Sequence, residues 1–139
     1  MKKKRLIILS FILLSVVGYS QLSVSFSELY KDKRGKYILK STGELYSGEA
    51  FGKYENGQVG MQGQIKNGFF DGLWVWWYED GTKKRETTYK EGVKDGYSYW
   101  WYKNGIKKSE IKFSNNHNVE QKRWDEEGNR LPNPKMGRR

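Results

Sequence analysis

Residues 72 to 95 read Gly72-Leu-Trp-Val-Trp-Trp-Tyr-Glu-Asp-Gly81-Thr-Lys-Lys-Arg-Glu-Thr-Thr-Tyr89-Lys-Glu-Gly92-Val-Lys-Asp95, and residues 96 to 119 follow the same pattern. The two stretches are identical at eight of 24 positions, among them Trp76/Trp100, Trp77/Trp101, Tyr78/Tyr102, Lys83/Lys107, Lys84/Lys108 and Glu86/Glu110. A self-similar period of this length defines a repeat architecture, so the reading of one unit decides the whole. Residues 48 to 71 are a diverged copy that keeps Gly48, Tyr54, Glu55, Gly57, Lys66, Gly68 and Asp71 in register. A fourth copy begins near Val119, one residue short in the preceding loop, and retains Trp124 and Gly128.

Within a unit the chemistry predicts a β-hairpin. Leu73 to Glu79 is rich in aromatic and branched residues, Asp80-Gly81 is a two-residue type I′ turn signal, and Thr82 to Tyr89 returns. Asn56-Gly57 and Asn104-Gly105 repeat the signal, so Gly57, Gly81, Gly105 and Gly128 are the structural turn glycines. A two-residue loop pairs Trp77 with Lys84 and Tyr78 with Lys83, and likewise Trp101 with Lys108 and Tyr102 with Lys107. Second turns at Asn67-Gly68 and Glu91-Gly92 join the hairpins. Because a lone hairpin is marginal in water, the units must lie side by side. The expected fold is all-β, a stack of antiparallel hairpins forming one elongated meander sheet.

Alternation along the strands separates two faces. Trp74, Trp76, Tyr78, Thr87 and Tyr89 share the first, and Leu73, Val75, Trp77, Lys84, Glu86 and Thr88 share the second. The first is the expected core, because Ile65, Tyr89 and Phe113 recur there, whereas recurring charges fall on the other. Trp77, Trp101 and Trp124, with Tyr99, Lys84 and Lys108, are therefore the candidate binding residues of the second face.

The segment before the repeats reads as an address. Lys2, Lys3, Lys4 and Arg5 precede an apolar run from Leu6 to Val17, and Gly18-Tyr19-Ser20 places small residues before a cut ahead of Gln21. The run is shorter than the roughly 20 residues a spanning helix needs. Residues 1–20 are thus an expected secretory signal peptide, 21–35 a lead-in, 36–131 the repeats and 132–139 a basic disordered tail. A mature chain would be periplasmic or secreted. It would not be a lipoprotein, because the sequence contains no cysteine. The absence of cysteine also excludes disulfides and thiolate metal sites.

The whole chain carries a formal charge of +10, of which the signal segment holds four cations and no acid. Arg130, Lys135, Arg138 and Arg139 place four more in the acid-free stretch after Gly128, leaving the repeat body near neutrality. That distribution argues against nucleic acid as a partner.

At this point the residues resemble a known family. Gly72 to Gly81, the following Lys83-Lys84, and Tyr89-Lys-Glu-Gly92-Val-Lys-Asp-Gly96 are similar to the variant MORN repeat of bacterial proteins labelled YwqK-family antitoxins. Residues 96 to 111 follow the same pattern, with Ser98 in place of the family's usual tryptophan. The first copy departs further, since Ala50 and Gly52 stand where Trp74 and Trp76 stand later. The resemblance implies a scaffold fold, and its label implies toxin neutralisation.

Catalytic chemistry is scarce. His117 is the single histidine, expected in a solvated loop, and Glu86 and Glu110 are expected about two strand spacings apart, roughly 10 Å, beyond the range of a glycosidase pair. They read as cross-strand partners of Lys84 and Lys108. No nucleophile elbow, phosphate loop or metal spacing occurs, so the chain is expected to be a non-enzyme without cofactors. Three functions follow. The first is an envelope interaction module docking an unidentified protein partner. The second is a glycan or cell-wall binder using the Trp77/Trp101/Trp124 ladder, and the third a toxin-neutralising protein.

Overall fold

The computed structural model describes residues 23 to 133; the expected signal peptide and most of the expected basic tail lie outside them. Eight long and short strands follow one another in a meander: β4 (Gly48–Lys53), β5 (Val59–Lys66), β6 (Phe69–Trp77), β7 (Lys83–Lys90), β8 (Val93–Trp101), β9 (Lys107–Ser114), β10 (His117–Trp124) and β11 (Arg130–Leu131). Each pairs antiparallel with the next. The sheet gains one parallel edge strand, β1 (Val24–Ser25), which runs alongside β4. A 3-10 turn at Phe26–Glu28 then leads into a small separate hairpin, β2 (Leu29–Lys31) with β3 (Tyr37–Leu39).

These N-terminal elements are more than a lead-in. Val24, Leu29, Ile38 and Tyr46 are buried, and together with Ala50, Ile65 and Trp74 they form the core. Residues 36 to 47 accordingly belong to this cap, and the hairpin array of the main sheet starts at Gly48. Trp74 is the centre: Phe70 stacks on it at 3.7 Å and Phe26 tilts against it at 5.8 Å, while its indole donates to the Gln64 carbonyl at 2.9 Å. Gly63 lies beneath the indole, where a Cβ would come within 2.4 Å of the ring. The expectation that the first face forms the core therefore holds around Ile65 and Trp74. Trp76 and Tyr89, on the same side, are partly buried and pack against this core, and Trp100 and Phe113 are partly buried further along the array.

The turns differ from the sequence reading. Asp80 keeps a negative φ, which a type I′ turn forbids, and Gly81 alone is left-handed at φ 85°. The loop holds three residues, Glu79 to Gly81, closed by Gly81 N–H donating to the Tyr78 carbonyl at 2.9 Å and Tyr78 N–H donating to Thr82 at 2.7 Å. Asp80 Oδ1 accepts from Thr82 N–H, stabilising a type I turn that is followed by its glycine. Gly57, Gly105 and Gly128 repeat this geometry. The positive-φ pairs lie instead at the opposite ends of the strands, at Asn67-Gly68, Glu91-Gly92 and Asn115-Asn116.

The longer loop shifts the pairing. Trp77 lies opposite Lys83 and Trp101 opposite Lys107, not Lys84 and Lys108 as expected; the lysines at 84 and 108 fall in β-bulges. Beyond each bulge the expected register resumes, with Trp76 opposite Arg85 and Trp100 opposite Ser109.

Candidate functional site

The bulges rearrange the second face. Trp77, Lys83, Trp101, Lys107, Trp124 and Arg130 come from six consecutive strands, with Trp77 paired to Lys83, Trp101 to Lys107 and Trp124 to Arg130. Cations lie against these rings: Lys83 is 5.3 Å from the Trp101 centroid, Lys107 5.7 Å and Arg130 5.0 Å from that of Trp124. Such contacts contribute about 0.5–1 kcal/mol each at exposed sites. Glu86 holds Lys83 at 2.5 Å, and Glu110 holds Lys107 at 3.2 Å and Lys122 at 3.0 Å. Both acids are thus partners of Lys83 and Lys107, three residues before them on their own strands, rather than of Lys84 and Lys108. Hydrogen bonds from Lys122 and Lys107 pull the Glu110 carboxyl below its ordinary pKa.

Along β8, Tyr97 stacks on Tyr99 at 5.8 Å, and Tyr99 meets Trp101 at 6.0 Å. Lys112 and Lys107 lie over the two tyrosines. Leu73 is 53% exposed and Tyr97 41%, since the cap sits on the opposite side of the sheet. This side therefore presents a flat strip of tyrosine, tryptophan and leucine edged by paired charges. Of the candidate residues, Trp77, Trp101, Trp124 and Tyr99 share this face. Lys84 and Lys108 leave it for the hairpin ends, over the rings of Tyr78 (5.4 Å) and Tyr102 (5.1 Å).

Two features escaped the sequence reading. Tyr54, Tyr78 and Tyr102 donate their hydroxyls to the carbonyls of Trp77, Trp101 and Trp124 at 2.8, 2.8 and 3.0 Å, tying each hairpin to the next. Their recurrence at the repeat period was the available signal. The other is Arg85, on the first face, whose guanidinium lies 3.5 Å from the Trp76 centroid and 4.9 Å from that of Trp100. Burial pulls its pKa down, with Tyr89 supplying a hydroxyl contact at 3.1 Å. Nothing in the repeat pattern marks it, because the third copy has Ser109 at the corresponding position.

His117 is exposed at the start of β10 and not in the turn before it. Among the described residues no group of three or more His, Cys, Asp or Glu side chains could hold a metal ion. No helix among them is long and apolar enough to cross a membrane.

A sheet of tandem hairpins, tied unit to unit by tyrosines and open on one aromatic side, defines a β-hairpin repeat module. Residues 70–91 and 94–115 each match the family model described as MORN repeat variant. MORN repeats are non-catalytic repeat modules that generally bind proteins or membranes. No curated protein matches the chain, and no solved structure does.

Proposed function

We propose that this chain is an exported, non-catalytic docking module of the bacterial envelope that binds a protein partner through its second face. The observation that carries the reading is the strip of stacked Tyr97, Tyr99 and Trp101, with Leu73 exposed two strands away on the same face, opposite the capped side of the sheet. Tyrosine and tryptophan anchor interfaces because they bury much area with few rotatable bonds. A glycan stacking along Trp77, Trp101 and Trp124 is the alternative reading, supported by the recurrence of these rings on alternate strands of the same face. A toxin, which the label of the resembling family implies, is one protein that such a face accommodates. The export part rests on Lys2 to Arg5, the apolar run and Gly18-Tyr19-Ser20.

The test is crosslinking and co-purification from the native envelope, comparing the wild-type chain with Tyr99→Ala and Trp101→Ala. A saturable protein partner that both variants lose while their melting curves stay cooperative supports the reading. Recovery of polysaccharide alone, or binding that survives both changes, refutes it. Amino-terminal sequencing that starts at Gln21 supports export, and retention of Met1 contradicts it.

A further inference from the structure

On the first face one row of side chains crosses the sheet in register, starting beside the cap: Gly52, Met61, Trp76, Arg85, Trp100, Ser109 and then Arg123. It contains two arginines and no acid. Arg85 is half-buried between its two tryptophans, yet no carboxylate among the described residues pairs with it. Among the described residues its one hydrogen-bond partner is the Tyr89 hydroxyl, and its Nε is enclosed without any. A guanidinium is normally brought out of water against a carboxylate that accepts from its fork of N–H groups, since an uncompensated charge is costly to desolvate. Here the stacking rings hold the fork in place and the acceptor is missing.

Beside Trp76 lies an open cleft of about 210 Å³ lined by Gly52, Lys53, Tyr54, Gly60 and Met61. Its origin is legible in the repeats. The second and third copies place Trp76 and Trp100 at this position, and the first copy has Gly52, so the cleft is the place of the tryptophan the first repeat lacks. The row therefore offers an apolar recess at Gly52 and Met61 and, on the far side of Trp76 two strands from Met61, an arginine without a counter-ion.

We propose that this row is a second docking site, for an extended protein segment that crosses the strands and sets an acidic side chain on Arg85 and, further along the same side of the segment, an apolar or aromatic side chain in the Gly52 recess. The charge of the row selects the acid, and the glycines select the apolar neighbour. The carboxylate accepts from the terminal nitrogens of Arg85, since Nε is closed off. The site is on the opposite face from the Tyr97–Trp101 strip, so it stands or falls separately from that interface.

The probes are a short end-capped peptide repeating aspartate-serine-phenylalanine-serine, which puts acid and ring on one side of an extended segment, and its counterpart with asparagine for aspartate, each titrated calorimetrically into the purified chain. The expected result is at least about tenfold tighter binding of the aspartate peptide, as a charge-assisted bond to a fixed guanidinium provides. Arg85→Met removes that preference, so both peptides bind it equally. Gly52→Trp fills the recess and weakens both peptides while leaving the Tyr97–Trp101 strip intact; the nearest atoms a Cβ there would meet belong to the flexible Met61 side chain, at 3.0 Å, and then to Phe26, at 3.7 Å. Equal affinity of the wild-type chain for the two peptides overturns the proposal without any variant having to fold. So does an aspartate preference that persists in Arg85→Met. Polyglutamate without aromatic residues binding as tightly as the aspartate–phenylalanine peptide overturns it too, because the recess would then play no part.

Discussion

Tyr78→Phe deletes a single hydroxyl and leaves the ring in place. That hydroxyl donates to the Trp101 carbonyl at 2.8 Å, across from one hairpin to the next, in a partly buried setting. A neutral hydrogen bond of this kind contributes about 1 kcal/mol net, and an acceptor left unpaired adds to its loss, so about 1–1.5 kcal/mol is expected. Phenylalanine keeps a π face for Lys84, whose ammonium stands 5.4 Å from the ring centroid, so the cation contact survives. In a domain of roughly 100 residues the loss corresponds to a fall in melting temperature of about 4–12 °C. The equivalent bonds of Tyr54 and Tyr102 lie two strands away on either side, about 10 Å, far enough for the effects to add. The triple phenylalanine variant is therefore expected to lose about 3–4.5 kcal/mol, read as a shifted urea midpoint at unchanged slope. A triple variant within about 0.5 kcal/mol of the wild type would show that the tyrosines do not tie the repeats together.

Trp74→Ala should cost about 3–5 kcal/mol and Trp100→Ala about 1–2, because Trp74 is fully enclosed and Trp100 lies beyond the cap; equal losses in denaturant unfolding would contradict the confined core. Gly105, at φ 85° with no atom within 4 Å of a Cβ, has room but a strained backbone. Gly105→Val should destabilise by about 1–3 kcal/mol and Gly105→Asn by under about 1, as residues that tolerate left-handed geometry do; thermal melting separates them. Glu110 has a folded pKa below its ordinary 4.5, so its contribution is present above that value and is lost as pH falls through the lowered one. Glu110→Gln should flatten the acid limb of the stability profile below pH about 4.5, and a profile identical to wild type would remove the Lys122–Glu110 pair from the account.

The period, the strands and the side of the sheet that holds the core were legible because alternation and turn chemistry are local. Trp74 and Ile65 sit where their parity places them. The turn type was misread because Asp-Gly serves both the two-residue mirror turn and the three-residue type I loop, and sequence does not say which residue goes left-handed. That single extra loop residue moved Lys84 and Lys108 off the second face and put Lys83 and Lys107 there. The cap was not legible at all: Val24, Leu29 and Ile38 lie outside the repeat, and their burial depends on a chain reversal that no period encodes. Arg85 was missed for a related reason, since its environment is assembled from tryptophans on two neighbouring strands.

A cap that encloses only the first hairpins makes the molecule directional. Near Trp74 an amide is released to solvent only when the aromatic cluster opens, whereas β9 and β10 are held by ladder bonds, tyrosine ties and half-exposed cation contacts. Deuterium should therefore enter from the carboxyl end and advance strand by strand toward β6, each hairpin opening without those before it. The same polarity runs through synthesis, because the cap and Trp74 leave the ribosome first and provide a finished edge on which each later hairpin can zip into place.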